Sequence, residues 1–328
     1  MRVQIHAENG ADIGVAQLTA ARTAKPAARL PASLDAASAA ERRSRLIAIA
    51  LMCGAVACFA GLDASGKYLS QSLPVLEVVW ARYAVSALMT VIAINPWTAP
   101  GAYASKKPAL QLGRSALVLL STVVNFTALQ YLQLAETMSI LFAMPLLVAL
   151  LAGPLLGEWV GPRRLAAIFV GFIGVLVITH PGVGAMHWAM LLSLFGVLLY
   201  ALFNISTRML AAYDSSQTTF VYSALAGAAG LAPVMFFVGQ WPQFLWQWGL
   251  MLVIGTCASI GHWLLIAAHR RAPAAVLSPF VYTQLIWMSG LGYAVFGDIP
   301  GPLTLVGASI VIGSGLYLLY REQVVKAG

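Results

Sequence analysis

Ten long apolar stretches occupy most of this sequence and leave only short connections between them. A helix that crosses about 30 Å of bilayer hydrocarbon needs about 20 mostly apolar residues, and each stretch has close to that length. They cover residues 46–69, 74–95, 113–133, 136–156, 162–180, 185–208, 216–238, 245–268, 274–296 and 302–321. The pattern predicts an all-α integral membrane protein with ten transmembrane helices.

The composition argues against a soluble domain. Hydrophobic residues make up 60% of the 328 residues and charged residues only 9%, whereas soluble domains carry about 25% charged residues. The net charge of +8 does not indicate a nucleic-acid partner, because the basic residues cluster at the ends of the apolar stretches. The three cysteines have neither disulfide nor zinc spacing. We therefore expect the lipid bilayer as the surroundings, with no metal and no cofactor.

Basic residues also predict the orientation. If the N-terminus is cytoplasmic, every lysine and arginine except Lys67 and Arg82 falls on the cytoplasmic side, as the positive-inside rule requires. We expect both termini in the cytoplasm and the chain in a plasma membrane, by preference a bacterial inner membrane. Residues 1–44 are basic and lack the apolar core of a signal peptide, so they are interpreted as a disordered tail or an over-extended chain start. Residues 323–328 form a second short tail.

Two parts of the sequence match each other at nearly the same offset. Asp63 aligns with Asn204, and Lys67 aligns with Arg208. Further along, Gly157-Glu158 aligns with Gly297-Asp298 at the corresponding helix ends. The matches predict a five-helix unit used twice.

A unit of five helices must enter the membrane in the opposite orientation when it is repeated. The sequence therefore predicts two inverted-topology repeats, residues 45–181 and 182–322. Inverted repeats are a common plan of secondary transporters, in which the substrate site lies near the midplane between the halves.

Several loosely spaced groups of residues carry a family resemblance across residues 46–321. They are Asp63, Lys67, Tyr68 and Leu69; Pro74, Glu77, Trp80, Arg82 and Tyr83; Ala128, Leu132, Ala135, Glu136, Thr137 and Pro145; Gly157 and Glu158; Ala274, Ser278, Pro279, Tyr282 and Gln284; and Gly297 with Asp298. In this order and spacing the sequence resembles the drug/metabolite transporter superfamily, specifically its ten-helix EamA-type members. At the last position the family more often has Gly-Glu.

The resemblance implies a central cavity lined by the first, third, fourth, sixth, eighth and ninth helices, and transport without ATP. The Asp of the first helix and the Trp-Ala-Arg-Tyr of the second are most similar to a subgroup that includes S-adenosylmethionine carriers. An amino-acid-like or vitamin-like solute stays open as well. No site residue is transferred from the family beyond these positions.

Charged residues inside the apolar stretches are the first candidates for a substrate site, because such groups tend to face a cavity or a partner. Asp63 and Arg82 should lie at comparable depth, and we expect them to form an ion pair. Lys67 lies one helical turn from Asp63 on the same face. The alternative is that these charges only neutralise one another and fix the packing of the first two helices.

Polar and aromatic residues within the helices complete the candidate set for substrate binding or coupling. They are Trp80, Asn125, Tyr200, Asn204, His262, Tyr282 and Gln284, although interhelical hydrogen bonds would account for many of them. Tyr282 and Gln284 are two residues apart, so on a continuous helix only one of them would fully face a cavity. Pro145 and Pro279 are hinge candidates, since proline frees a carbonyl and kinks its helix.

Three carboxylates near helix ends favour a structural interpretation. Glu136 opens the fourth helix, where a negative charge complements the helix dipole. Glu158 and Asp298 are expected to cap and anchor loops. The stretch from Gly61 to Lys67 resembles a phosphate-binding loop, but Tyr68 replaces the required Ser or Thr and no strand precedes it.

These features favour a secondary transporter that moves a small polar or amphipathic metabolite by alternating access, with no catalytic residues. One alternative is a membrane enzyme acting on lipid or lipid-linked substrate, but the sequence contains no HExxH and no GxSxG motif. A non-transporting membrane partner protein is the other. Proton exchange, counter-substrate exchange and facilitated diffusion all stay open, as does assembly into a homodimer.

Overall fold

The computed structural model describes residues 32–159, 161–179 and 187–327. Within those ranges the chain is helical with short connections and contains no strand. By its contacts it divides into residues 1–42 and residues 43–328, and the buried core lies in the second unit. The helices are α1 (Ala32–Leu69), α2 (Val75–Ala93), α3 (Pro108–Leu129), α4 (Leu134–Leu141), α5 (Met144–Leu156), α6 (Pro162–Thr179), α7 (Trp188–Leu210), α8 (Ser216–Val238), α9 (Leu245–His269), α10 (Ala274–Val281), α11 (Gln284–Leu291) and α12 (Pro302–Ala327).

Nine helical segments in the described ranges are long and apolar enough to cross a membrane, with α4 and α5 counted as one. The expectation of an all-α integral membrane protein is confirmed. The ninth expected span does not form one helix, because it is divided into α10, α11 and a π-helical turn at Gly292–Phe296. Each piece is too short to qualify on its own.

The fourth and ninth spans are interrupted at matching places. Pro279 lies inside α10 and has no amide hydrogen to donate, and after α10 the backbone tightens, with the amide of Thr283 bonded to the carbonyl of Phe280 at 3.2 Å. In the fourth span the chain tightens at Ala143, whose amide bonds to the carbonyl of Ile140. Pro145 then lies in the first turn of α5, where a missing amide costs nothing. The two prolines therefore border breaks rather than kinks in continuous helices.

Three boundaries differ from those expected. Residues 32–44, assigned from the sequence to a disordered tail, belong to α1, whereas residues 1–31 lie outside the described part. Helix α3 begins at Pro108 and not near residue 113. Helix α12 continues to Ala327, so most of the expected short C-terminal tail is helical.

Alternation of direction along the chain gives the bundle two ends, named here after one residue each. The Lys67 end contains the last turn of α1, and Lys67 there bonds to the carbonyl of Leu132 at 2.8 Å. At the Arg208 end, the last turn of α7 meets the turn after α5 through Arg208 and Glu158. The expected topology puts the Lys67 end outside the cell and the Arg208 end in the cytoplasm.

Helices at corresponding positions of the two halves pack against each other. Contacts join α2 to α8 and α6 to α12, and α4 contacts α11 of the other interrupted span, which is compatible with a two-fold relationship between the halves. The α6–α12 crossing is close because Gly174 and Gly307 face each other, and a Cβ atom at Gly174 would lie 2.9 Å from the carbonyl oxygen of Gly307. Small residues of this kind let membrane helices approach at their backbones.

Matching turns end α5 and the π-helical segment. Gly157 has φ of 74° and Gly297 has φ of 71°, a left-handed conformation that costs glycine little. In both turns the amide of the next residue bonds to a carbonyl six positions back, from Glu158 to Ala152 at 3.1 Å and from Asp298 to Gly292 at 3.0 Å. The aligned Gly-acid pairs are therefore structurally equivalent.

Candidate functional site

A cavity of about 410 Å³ lies between the two halves of the bundle. Side chains of the interrupted helices and of α1, α2, α3, α7 and α9 line it. Seven of the candidate residues from the sequence face this cavity: Asp63, Arg82, Asn125, Tyr200, His262, Tyr282 and Gln284. The structure brings these seven together, although their functional roles stay predictions.

Asp63 reaches the cavity from α1 and has one weak polar contact. The side-chain amide of Asn125 donates to its Oδ1 atom over 3.5 Å. The carboxylate is only partly buried and retains most of its acceptor capacity. It could therefore accept hydrogen bonds from a bound solute.

The expected ion pair between Asp63 and Arg82 is wrong. The Nη1 atom of Arg82 donates to the hydroxyl of Thr122 at 2.7 Å, and the guanidinium lies 4.9 Å from the ring centre of Tyr83. Among the described residues no carboxylate comes within 4.0 Å of this guanidinium. The side chain of Arg82 turns toward α3, while Asp63 and Arg82 both line the cavity. Opposite charges thus line the same cavity without touching.

His262 has one free ring nitrogen. Its Nδ1 atom lies 2.7 Å from the carbonyl oxygen of Ala258, and because a carbonyl only accepts, Nδ1 must carry the proton. The ring packs edge-on against Phe59, with centroids 5.0 Å apart. In the neutral ring Nε2 is therefore an acceptor at the cavity wall.

Tyr282 and Gln284 both line the cavity, which contradicts the expectation that only one would. The expectation assumed a continuous helix, but α10 ends at Val281 and α11 begins at Gln284. At the break the backbone tightens to hydrogen bonds between residues three apart, and both side chains contribute to the lining of the cavity.

Three candidates lie away from the cavity. Trp80 packs against a buried apolar cluster formed by α1, α2, α3, α8 and α9. Asn204 donates to the carbonyl of Tyr200 in its own helix at 2.7 Å. Lys67 is 8% exposed, at the Lys67 end of the bundle. The sequence identified these residues by polarity and position, but it contained no information on which way the side chains turn.

Lys67 and Arg208 make equivalent ion pairs with the opposite half. Lys67 Nζ lies 3.2 Å from Asp298 Oδ2, and Arg208 Nη2 lies 2.6 Å from Glu158 Oε1. Since Lys67 aligns with Arg208 and Asp298 with Glu158, the two pairs are related by the repeat. We call them the Lys67 latch and the Arg208 latch.

The two latches differ in exposure. Side-chain exposures are 10% and 26% in the Lys67 latch, but 57% and 52% in the Arg208 latch. Lys67 also bonds to the carbonyl of Leu132 and lies 4.8 Å from the ring centre of Phe296. The Lys67 end is therefore the less exposed of the two, and both pairs tie the loop acids Glu158 and Asp298, which were expected to cap and anchor loops, to the opposite half. Glu136 does cap, since it accepts the amide of Gln133 at 3.1 Å.

A second pocket of about 220 Å³ adjoins the cavity on the side of the Arg208 end. Arg82, Val118, Phe203 and His262 line both spaces, so they form the boundary between them. Beyond this boundary the lining reaches Asp214 in the connection between α7 and α8.

Arg114 lines this pocket and is the main residue that sequence reasoning missed. The sequence places it at the very start of the third apolar stretch, among the basic residues of the cytoplasmic side. Since α3 begins at Pro108, Arg114 lies two turns inside it and is only 4% exposed. The sequence did contain a signal for this position. Apolar residues follow Arg114, and Pro108 upstream is a common first residue of a helix.

Asp214 is held at the rim of the pocket by the α2–α3 connection. It accepts hydrogen bonds from the hydroxyl of Ser105 at 2.5 Å, the amide of Lys106 at 2.8 Å and the side-chain amide of Gln111 at 2.9 Å. Slight desolvation favours the neutral acid, but these hydrogen bonds and the charge of Lys106 outweigh it and hold the pKa of Asp214 below its ordinary value. Among the described residues no three His, Cys, Asp or Glu side chains gather closely enough to hold a metal ion.

Comparison with known proteins supplies the family. The model of the EamA-like transporter family matches twice, over residues 46–180 and 187–321. A solved crystal structure superposes with a TM-score of 0.60 at 15% identity and covers 84% of this chain and 98% of the other, which shows that the fold is shared.

Three named relatives cover nearly the same length. An S-adenosylmethionine uptake transporter of Rickettsia bellii is 23% identical over 80% of this chain and 89% of its own. A riboflavin transporter of Brucella anthropi is 24% identical over 83% and 98%. A pseudopaline exporter of Pseudomonas aeruginosa is 24% identical over 77% and 89%.

Proposed function

The chain belongs to the EamA-like transporter family, and from this premise we propose that it is a secondary transporter that carries a small metabolite by alternating access. The observation that supports this most directly is the 410 Å³ cavity, which is lined from both halves and adjoins the pocket toward the Arg208 end. Named relatives carry S-adenosylmethionine, riboflavin and pseudopaline. The cavity lining contains both polar and apolar side chains, which suits a polar or amphipathic organic solute.

The latches support a rocking motion of the two halves. We take residues 45–181 and 182–322 as the moving units, because each latch joins one to the other. Because the Lys67 latch is much less exposed than the Arg208 latch, we take the structure as a state closed at the Lys67 end. The opposite state would bury the Arg208 latch and separate Lys67 from Asp298.

The membrane of a bacterial cell is the proposed location, with both termini in the cytoplasm. The bacterial relatives support the first part, and the distribution of basic residues supports the second. The state closed at the Lys67 end would then be accessible from the cytoplasm.

The role proposed for Asp63 is to bind a donor group of the solute or a proton. Its carboxylate lines the cavity with one 3.5 Å contact, and the equivalent position in the second half is Asn204, so the charge occurs in one half only. Hydrogen bonds to charged groups contribute about 1.5–3 kcal/mol. Loss of this charge should therefore reduce transport about tenfold or more.

Solute efflux from proteoliposomes tests the proposal. Vesicles loaded with a defined mixture of S-adenosylmethionine, riboflavin, amino acids and nucleosides would be followed by mass spectrometry, with protein-free vesicles as the reference. We expect at least one solute to leave faster through the wild-type protein, and Asp63→Asn to lose that efflux while inserting normally. Trp80→Phe is the matched control, because Trp80 packs away from the cavity. Full efflux through a well-inserted Asp63→Asn would return Asp63 to a packing role, and no efflux of any solute would contradict the proposed function.

A further inference from the structure

The pocket at the Arg208 end is lined by two guanidinium groups and a set of hydroxyls. Arg82 and Arg114 both face it. The other polar residues at its wall are Tyr83, Ser86, Thr207, Ser216, Thr219, Ser223 and His262, together with Asp214 at the rim. Its volume of about 220 Å³ accommodates a small polar group and adjoins the larger cavity.

Arg114 is buried among neutral acceptors. Its Nε atom donates to the hydroxyl of Thr207 at 2.7 Å, and its Nη1 atom donates to the hydroxyl of Ser223 at 2.9 Å and the carbonyl of Thr219 at 3.2 Å. The guanidinium carbon lies 4.5 Å from the ring centre of Phe203. Within the described ranges its Nη2 group donates to nothing, and no carboxylate comes within 4.0 Å.

The only acid at the wall of this pocket, within the described residues, is already engaged. Both carboxylate oxygens of Asp214 accept hydrogen bonds from Ser105, Lys106 and Gln111, and the charge that lowers its pKa is that of Lys106. Arg114 therefore keeps a positive charge in a membrane helix with no direct counter-ion. A charge in this environment is costly unless it has a partner or serves a pathway.

The donors of Arg114 fit one class of ligand. A guanidinium is a permanent positive charge whose N–H groups donate charge-assisted hydrogen bonds to carboxylate and phosphate oxygens. Thr207, Ser223 and Thr219 engage Nε and Nη1 and hold the group in position, so the two N–H bonds of Nη2 stay available for an anionic oxygen. We propose that this pocket binds the anionic group of the transported solute, a carboxylate or a phosphate, and that Arg114 is the residue that holds it. The inference rests on the transport function proposed above and specifies its substrate class.

Arg82 provides a second position for the same group. Thr122, which holds Arg82, lies eight residues after Arg114 on α3, which is about 12 Å along the helix. Val118 lies between them on the same face and lines both spaces. An anionic group would thus move from Arg114 to Arg82 as the solute passes from the pocket into the cavity.

Matched pairs of acids and amides test the substrate class without knowledge of the natural solute. Proteoliposomes would be loaded with equal amounts of nicotinate and nicotinamide, indole-3-acetate and indole-3-acetamide, and riboflavin 5′-phosphate and riboflavin. A potassium gradient with valinomycin would hold the membrane potential constant. We expect the acid of at least one pair to leave about tenfold faster than its neutral partner after subtraction of protein-free leakage, the range that a charge-assisted hydrogen bond supplies.

Variants distinguish a role of Arg114 in anion binding from a role in helix packing alone. In Arg114→Gln the preference for the acid should fall about tenfold while efflux of neutral solutes persists, and Arg114→Lys should retain part of the preference. Lys107→Gln removes the same charge from an exposed residue at the same end and should change nothing. Equal efflux of acid and amide through the wild type, or an unchanged preference in Arg114→Gln, would overturn the inference and leave the transport function standing. Absence of any protein-dependent efflux would overturn both.

Discussion

Phe142 and Tyr282 pack edge to face, with ring centres 4.9 Å apart and planes at 76°. Each follows the last residue of the first half of an interrupted helix, α4 in one repeat and α10 in the other. They occupy the same place in the two copies, as the alignment of Gly157 with Gly297 requires. The two breaks therefore meet at the wall of the cavity, where both rings contribute to the lining.

Loss of either ring should loosen this crossing. Aromatic pairs contribute about 0.5–1.5 kcal/mol beyond the area that they bury, so we expect Phe142→Ala and Tyr282→Ala each to lower the melting temperature and slow transport. The double variant should cost less than the sum of the two, because the contact is lost only once. Melting curves and efflux rates would measure this, with Tyr282→Phe as the control that keeps the ring. Additive effects in the double variant would mean that the contact contributes nothing.

The Lys67 latch should restrict access from its end of the bundle. Breaking a buried pair leaves a charge without a partner, whereas an exposed pair contributes only about 0–1 kcal/mol. We therefore expect Asp298→Asn to increase labelling of a cysteine placed at Ser121 in the cavity by a membrane-impermeant maleimide added outside cells. Cys53, Cys58 and Cys257 would be replaced beforehand.

The second latch supplies the control for the first. Glu158→Gln breaks the Arg208 latch, which is equivalent by the repeat but exposed, and it should not increase labelling from outside. The charge-swapped variant Lys67→Asp/Asp298→Lys should return labelling toward the wild-type rate. Equal labelling of all variants would show that these ion pairs have no part in closing the bundle.

Glu77 should matter for stability and not for transport. Its Oε2 atom accepts the amide of Gln240 at 2.7 Å, which joins the start of α2 to the segment after α8, and its side chain is absent from the cavity wall. Loss of a hydrogen bond to a charged group costs about 1.5–3 kcal/mol. We expect Glu77→Ala to lower the melting temperature in detergent, while the efflux rate per folded molecule stays near that of the wild type. A large loss of efflux at unchanged stability would assign Glu77 to the pathway.

Asp214 should make a pH-dependent contribution to stability. The folded pKa is lower than the ordinary value of 3.8, so the ionised group stabilises the fold at all pH values above about 4 and this contribution is lost as the pH falls through the folded pKa. The difference in melting temperature between wild type and Asp214→Asn should thus be constant from pH 7 to about pH 5 and shrink in more acidic buffer. A difference that grows on acidification would contradict the sign of this shift.

The membrane fold could be predicted because hydrocarbon thickness fixes the length of an apolar helix. The repeat could be found because both copies keep the same glycine and acid at the same offset, Gly157-Glu158 and Gly297-Asp298. The interruption at Tyr282 was not predictable in the same way, since Pro279 within an apolar stretch permits either a kink or a break. The hydropathy of this stretch does not reveal the break, because the pieces on either side of it are both apolar.

The candidate site was predicted in part for a related reason. Polarity within an apolar stretch identifies Asp63 and Arg82, but the direction of a side chain depends on its neighbours in space. Arg82 donates to Thr122 and not to Asp63, and no pattern within α2 indicates that choice of partner. Arg114 was missed because an error of five residues in a helix boundary placed it at the membrane-facing start of α3 and not almost two turns inside the helix.

The latches have a consequence for how such a protein could have arisen. Within one copy the base and the acid never meet, because Lys67 lies at one end of the bundle and Glu158 at the other. A single five-helix ancestor that carried both groups would have left both unpaired on its own. Two such molecules inserted in opposite orientations would have closed both ends at once, since each base would meet the acid of the other molecule. Fusion into one chain keeps that exchange and frees each base and acid to diverge, and a lysine at one end and an arginine at the other, with an aspartate and a glutamate as partners, are the present outcome.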